Sequence, residues 1–495
     1  MKKTALIPAA LLAAAPLAAQ ENGDTLALDT LRAYAGDNTQ TAAQDASLPM
    51  TKDEGPAADI SPKAHAEQYA KFKQCLKEEA KACNYDFVSA MEAVLSATND
   101  EFAVEQWMQA AAKENIAPAM QYLANQSFAR LRVNDAASPA AKAAFALEKK
   151  AADAGYTPAM LNVGMARMQG LGTEKDETQA RKDLMNACKA GHFVTRFKWL
   201  MLTKRLKDWD SRELPEVKAE VNRGNHHVVY ELAMYAPTAK DKMEWLQKAV
   251  KLGNSEATYT LSTLASENAP KESYELLKEA AKMHNVRALH LMGCMIMEPN
   301  PPARLKELDV PHNDKLGRHF IRLAAMLDNA DSRYLLALAY HKGLYGFKKD
   351  DTRAFRHMES AANLGDPVCM ASVGVMHVMG IGTKKDPEAA VPYIVQAANL
   401  GVPGAPIMLA YMQYHGLGGV PADARKARET LQDAQAANIP EALVYLAYLA
   451  AKGGPGLEPD EKEAAMYLRM AEMDLKDNAK KLYDSLMKDG WEPEL

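Results

Sequence analysis

The chain has 495 residues, 48% of them hydrophobic but only 7% aromatic, and its 59 basic against 64 acidic residues leave a net charge of −5. Both signs are spread evenly, so there is no basic stripe to track nucleic acid and no polybasic segment to hold an anionic membrane. The length alone predicts about three globular domains, unless repeats replace separate cores with one array, and heavy use of Ala and Met favours short packed helices over strands.

The amino terminus reads Met1-Lys2-Lys3, then an uncharged run from Thr4 to Ala19 that ends Leu17-Ala18-Ala19. A basic start, a short apolar stretch and a small-residue end predict a cleavable signal peptide over residues 1–19. The run is too short to span a bilayer and is interrupted by Pro8 and Pro16. No Cys lies near the cleavage site to carry a lipid anchor, so the expected location is periplasmic or secreted, without membrane insertion. Residues 20–62 are rich in Asp, Thr, Gln, Ala, Gly and Pro without helical periodicity and read as a flexible leader. From Pro62 the pattern becomes helical and stays so to about Asp489.

Within that region the chain repeats itself. Gly155-Tyr-Thr-Pro-Ala-Met-Leu-Asn-Val-Gly, followed by Gly170-Leu-Gly-Thr-Glu-Lys-Asp176, returns as Gly365-Asp-Pro-Val-Cys-Met-Ala-Ser-Val-Gly, followed by Gly380-Ile-Gly-Thr-Lys-Lys-Asp386. A period in this range predicts stacked helix pairs, an all-α, α-α superhelical solenoid. The leading position marks helix-pair starts at Glu78, Asn115, Gly155, Gly191, Gly224, Gly253, His284, Asp328, Gly365, Gly401, Asn438 and Leu475, with irregular spacing between Gly191 and Asp328. Four positions on, the residue is usually small, as at Ala159, Ala257, Cys369 and Ala442, which lets two helices approach closely. In each unit helix A runs from the marker to a Gly-x-Gly turn. An Asp then caps helix B, predicting helices at Glu177-Ala190, Pro387-Leu400 and Glu461-Asp474.

These residues resemble the Sel-one-like repeat family, a tetratricopeptide-like group of helical repeats. The resemblance rests on Ala159, Val163 and Gly164, on Val373 and Gly374, on Ala405 and Leu409, on the Gly-x-Gly-Thr-x-Lys-Asp loop, and on the Ala pairs before the markers. It is specific over residues 144–192 and 316–474. Residues 63–143 and 193–315 read as degenerate helical repeats, and 475–495 as a capping helix and tail. The family's helix A Tyr, three before the loop Gly, is present at Tyr340 but replaced by Arg167, His377, Gln413 and Ala450, which is expected to loosen packing there. The resemblance implies a protein-binding scaffold whose helix A faces line a groove. It also implies a Cys75–Cys83 disulfide, because cysteine-rich secreted members use a similar Cys-x7-Cys spacing. On one unbroken helix the two would stand about 12 Å apart, beyond bridging range.

Helical phase puts the positions five, two and one before each loop Gly on the inner face. The candidate groove residues are Met165 and Met168, His341, Val375 and Met379, Tyr411, Tyr414 and His415, and Tyr448. Tyr and Met suit an adaptable protein-binding surface; the other reading of the row is that neighbouring repeats bury it.

Catalytic patterns are poor. Cys188, Cys294 and Cys369 read as small buried hydrophobes. His226-His227 with Glu231 lacks a third metal ligand, no nucleophile elbow is present, and Ser485-Leu-Met-Lys488 stands alone. The expected function is therefore a monomeric, exported, non-enzymatic scaffold for a protein or peptide, with no cofactor and no metal. The alternatives are a cell-wall-directed hydrolase, which would need an acid and base pair or an activated nucleophile, and a structural spacer.

Overall fold

The structure is a computed structural model that describes Ser61, Lys63 and residues 65–81, 87–129, 136–190, 215–266, 268–298, 307–308 and 310–491. The signal peptide, and the leader apart from Ser61, lie outside the described residues. The chain divides into two compact units, Met1–Leu327 and Asp328–Leu495. Among the described residues every regular element is helical, and no helix is long and apolar enough to cross a membrane.

The first unit holds α1 (Ala66–Lys81), α2 (Val88–Thr98), α3 (Ala103–Lys113), α4 (Ala117–Ala129), α5 (Pro139–Asp153), α6 (Thr157–Gln169), α7 (Glu177–Lys189), α8 (Pro215–Asn222), α9 (His226–Met234), α10 (Ala239–Lys251), α11 (Ser255–Ala265), α12 (Pro270–Lys282), α13 (Val286–Met297) and α14 (Asp314–Met326). The second holds α15 (Ala330–Lys342), α16 (Asp351–Asn363), α17 (Pro367–Met379), α18 (Pro387–Asn399), α19 (Gly404–His415), α20 (Ala424–Ala436), α21 (Glu441–Lys452), α22 (Glu461–Leu475) and α23 (Asp477–Asp489). Among the described residues, successive helices pack on one another from α1 to α7 and from α8 to α14 in the first unit, and from α15 to α23 in the second.

The marker residues do what the sequence predicts. Gly155, Gly224, Gly253, Gly365 and Gly401 have φ between +76° and +97°, and Asn115, His284, Asp328 and Asn438 lie between +58° and +62°. Each ends a helix B in the left-handed conformation that Gly, Asn and Asp tolerate best. The ladder fails at its ends. Glu78 lies inside α1, and the last break falls at Lys476 rather than Leu475. Cys75 therefore sits in the body of α1, where it is a free thiol, while Cys83 lies outside the described residues.

The loops and caps are local chemistry. Asp176, Asp386 and Asp460 each accept a hydrogen bond from the first turn of helix B, at 2.8 Å from Gln179 N, 3.0 Å from Ala389 N and 2.9 Å from Lys462 N. The second Gly of each loop rests on the preceding helix B: an added Cβ at Gly172 would lie 2.2 Å from the Ala141 carbonyl oxygen, and at Gly382 1.8 Å from that of Asp351. Gly at this place is thus a requirement of stacking between repeats.

Helix pairs meet along two small-residue positions. Four after the marker stand Ala119, Ala159, Ala257, Ala288, Ser332, Cys369, Ala405 and Ala442, all buried. Nine after it stand Ala124, Gly164, Ala233, Ser262, Gly293, Ala337, Gly374, Ala410 and Ala447. A Cβ on Gly164, Gly293 or Gly374 would come within 2.7 Å of Leu184, 2.7 Å of Ile321 or 2.3 Å of Ile394.

Those three aliphatic residues share a helix B position, seven before the next marker, with Met108, Val217, Leu246, Leu277, Met358 and Leu431. The unit formed by α4 and α5 puts Glu148 there instead. Glu148 is fully buried and neither carboxyl oxygen has a hydrogen-bond partner; the Asn162 and Gln121 amides approach without closing a well-formed bond. Burial pushes its pKa up to about 8.

In the first unit the chain also returns on itself, as α14 packs against α2. Arg322 grips Glu101 with Nε at 2.9 Å and Nη2 at 2.8 Å, and its Nη1 donates to Asn99 Oδ1 at 2.6 Å. Both charges are buried, so the pair fixes register more than it adds net stability.

Two predictions follow from this packing. Gly382→Ala is expected to cost about 3 kcal/mol, combining overpacking with left-handed strain, whereas Gly365→Ala, with nothing within 4 Å, costs about 1 kcal/mol; urea denaturation of both variants measures the difference. Glu148 binds its proton more tightly folded than unfolded, so the stability this contributes is complete below about pH 4.5 and is lost as pH rises towards about 8. Glu148→Leu, the aliphatic type of the sibling repeats, should exceed the parent by about 2–4 kcal/mol at pH 8, with the gap narrowing towards pH 4.5. A gap independent of pH would show that Glu148 is not a neutral buried acid.

Candidate interaction face

Helix A of each repeat is held to helix B by the residue three before the loop Gly and the residue seven after the capping Asp. The pair changes chemistry from repeat to repeat but keeps its register. Arg167 forms an ion pair with Asp183. Tyr340 stacks on His357 at 5.6 Å between ring centroids, His377 stacks on Tyr393 at 6.0 Å, and Thr430 donates to Gln413 Oε1 at 2.8 Å. In the last repeat Ala450 is matched by the buried Tyr467. The departures from Tyr at this position were expected to loosen packing; the structure instead pairs each with a complementary partner on helix B.

With that position turned towards helix B, the places five, two and one before the loop Gly flank it. In the first unit Met165 and Met168 are half-buried on α6. In the second, Val375 is buried and Met379 is 40% exposed at the end of α17. His341 is half-buried, its Nδ1 2.7 Å from Asp351 Oδ1 at the start of α16. Tyr411 and Tyr448 are buried, at 8% and 7% exposure, Tyr414 is half-buried, and His415 is exposed. The Tyr414 hydroxyl donates to the Gly453 carbonyl at 3.1 Å, and burial raises the pKa of both Tyr414 and Tyr448.

Two residues on this face were not assigned to it from the sequence, which offered the capping helix as the place where Trp491 docks. Trp491, beyond α23, is buried against Tyr411, Tyr414, Tyr445 and Tyr448, with ring centroids 5.0 to 6.1 Å away. Tyr445 joins them from eight positions before Gly453, one helical turn beyond the row considered. The available signal was aromatic density: four Tyr within 411–448 and a Trp in a short tail.

The other candidate residues sit in ordinary packing. Cys369 is buried at a small-residue position, where burial pushes its thiol pKa up. The Cys294 sulfur lies 3.7 Å from His290 Nε2, and the Cys188 side chain lies outside what is described. His226 and His227 stack at 4.0 Å, and the Asn254 amide meets His226 Nδ1 at 3.0 Å. Ser485 and Lys488 each engage Asp489. Among the described residues no group of three or more His, Cys, Asp or Glu is placed to hold a metal ion.

The Sel1 repeat family model matches residues 157–182, 243–254, 303–329, 330–366, 367–402, 405–429 and 440–473. The chain carries seven Sel1 repeats. These matches fall partly within 144–192 and 316–474, the segments where the resemblance was specific, and also on 243–254 and 303–315. Sel1 repeats generally mediate protein interactions, and proteins of this kind are generally non-enzymatic scaffolds. Similar solved structures include c5321, a protective antigen present in uropathogenic Escherichia coli strains displaying an SLR fold, at 20% identity, covering 85% of this chain and 91% of that one with a TM-score of 0.46. Another is a Sel1 repeat protein from Oxalobacter formigenes, at 24% identity over 52% of this chain and 98% of that one, TM-score 0.38. The immunity protein Pa5087 from Pseudomonas aeruginosa is similar at 16% identity over 49% and 89%, TM-score 0.27. No curated protein matches the chain.

The register pairing makes a transplant testable. Gln413→Tyr alone should destabilise by about 1–2 kcal/mol, and adding Thr430→His, which rebuilds the Tyr340–His357 pair in the next-but-one repeat, should recover at least half of the loss. Thermal melts of the two single variants and the double variant measure it; strictly additive losses would break the pairing.

Proposed function

We propose that this Sel1 repeat protein is an exported, non-enzymatic scaffold that binds a protein or peptide segment along the helix A face of its second unit. The observation that carries the proposal is the row of Leu338, Val375, Tyr411 and Tyr448 five before the loop Gly on α15, α17, α19 and α21, flanked one before that Gly by Met379 and His415 on the two middle helices and by Lys342 and Lys452 on the outer two. Met379 and His415 are exposed, and Tyr414 and His341 are half-buried beside them. A solvated helix face ordinarily carries charge at such positions, and Met and Tyr offer contact area that adapts to a partner at modest entropic cost. The export half of the proposal rests on the basic, apolar and small-residue order of residues 1–19. No arrangement of the described residues favours the cell-wall-directed hydrolase.

The test is affinity capture with the mature chain, residues 20–495, from the exported fraction of its own cells, beside a Met379→Glu variant. Met379 is exposed, so the variant should keep the parent's circular dichroism and melting temperature. The expected result is a partner retained by the parent and depleted at least tenfold by the variant. Equal retention by both would remove this face from the function. Intact mass of the exported protein tests the rest: residues 1–19 still present would contradict the signal peptide.

A further inference from the structure

The aromatic residues of α19 and α21 form a cage with an occupant already in it. Tyr411 and Tyr448 meet the Trp491 indole edge to face, at 69° and 78°, while Tyr414 and Tyr445 lie at 33° and 35° to it. Edge-to-face and offset contacts at these separations are the favourable geometries for aromatic pairs. The Trp491 main-chain amide also comes within reach of the Tyr448 hydroxyl oxygen. The cage thus addresses an indole ring together with the backbone that carries it.

Three features separate this contact from ordinary core packing. The occupant belongs to no helix: it follows Gly490, which has φ +86° and ψ 174° and nothing within 4 Å of where a Cβ would stand. One wall is held without it, because the Tyr414 hydroxyl is anchored on the Gly453 carbonyl and the His415 ring packs against Tyr411, tilted at 4.5 Å, and against Tyr414, edge-on at 4.9 Å. Within the second unit the cage belongs to the last two repeats. The places of Tyr411 and Tyr414 are taken by Leu338 and His341 on α15 and by Val375 and Val378 on α17.

We infer that the cage of Tyr411, Tyr414, Tyr445 and Tyr448 is a receptor for a tryptophan side chain on an extended protein segment, and that Trp491 occupies it as a tethered competitor. A partner segment of that chemistry enters by displacing the chain's own tail. This rests on the scaffold proposed above and names the partner's chemistry at one end of the face. A tethered occupant is present at an effective concentration in the millimolar range for a short linker, so the intact protein binds such segments weakly and the released cage binds them well.

The experiment places a specific protease site between Asp489 and Gly490 in the full chain, so that the protein folds with its tail before it is cut. The probe is a labelled peptide of residues 489–495, Asp-Gly-Trp-Glu-Pro-Glu-Leu. The expected result is saturable binding of the peptide to the cut protein, at least tenfold weaker binding to the uncut protein, and a similar loss when the peptide's Trp is replaced by Ala. A Tyr445→Ala variant, altering a half-buried wall residue, should weaken peptide binding to the cut protein while leaving its circular dichroism unchanged. Absence of binding to the folded cut protein, or equal binding to cut and uncut forms, would overturn the inference. Loss of the fold on cutting would also overturn it, because a cage that cannot stand empty is no receptor. Each of these failures leaves the capture experiment with Met379, which lies outside the cage, unaffected, so the two readings fail separately.

Discussion

Everything in this molecule depends on how closely helix A can approach helix B. Small residues four and nine positions after each marker let the backbones meet, and the partner residue seven before the next marker fills the space above them. Gly appears where that partner presses hardest, at Gly164, Gly293 and Gly374, and Ala or Ser elsewhere. Close approach multiplies weak dispersion contacts that a looser pair forfeits. Each pair buries its own seam, and of the positions that flank it Val375, Tyr411 and Tyr448 are buried while Met379 and His415 stay exposed.

The same constraint explains what varies. The position three before the loop Gly can be Arg, Tyr, His, Gln or Ala because its neighbour on helix B changes with it, from Asp183 to His357, Tyr393, Thr430 and Tyr467. The seam does not vary in this way, with the exception of Glu148, an acid where nine sibling positions are aliphatic. A neutral buried acid there makes the first unit sensitive to rising pH.

Much of this was legible in the sequence because it is local. Asp176, Asp386 and Asp460 as caps, glycine markers with positive φ, and helix boundaries within a residue or two all follow from chemistry acting over a few positions. What escaped has one of two causes. Arg322 reaches Glu101 across 221 positions, and Trp491 reaches Tyr411 across four intervening helices, so no periodicity announces either contact. Glu78 misled because α1 runs unbroken through it, having no Gly, Asn or Asp there to stop the helix. The proposed face was half legible: helical phase names its row, but whether a row residue is open or buried depends on what the fold lays over it. Met379 and His415 remain exposed, whereas Tyr411 and Tyr448 lie under Trp491.

The seam is the claim on which the rest stands, and a double-mutant cycle between Gly374 and Ile394 tests it most directly. Gly374→Ala alone should cost about 2–3 kcal/mol by forcing its methyl against Ile394, and Ile394→Ala alone about 2–4 kcal/mol by leaving a cavity. If helix A and helix B meet there as described, the double variant loses at least 1 kcal/mol less than the sum, because the new methyl occupies the space the isoleucine vacated. Losses that simply add would place the two residues out of contact and contradict the account of how these repeats stack.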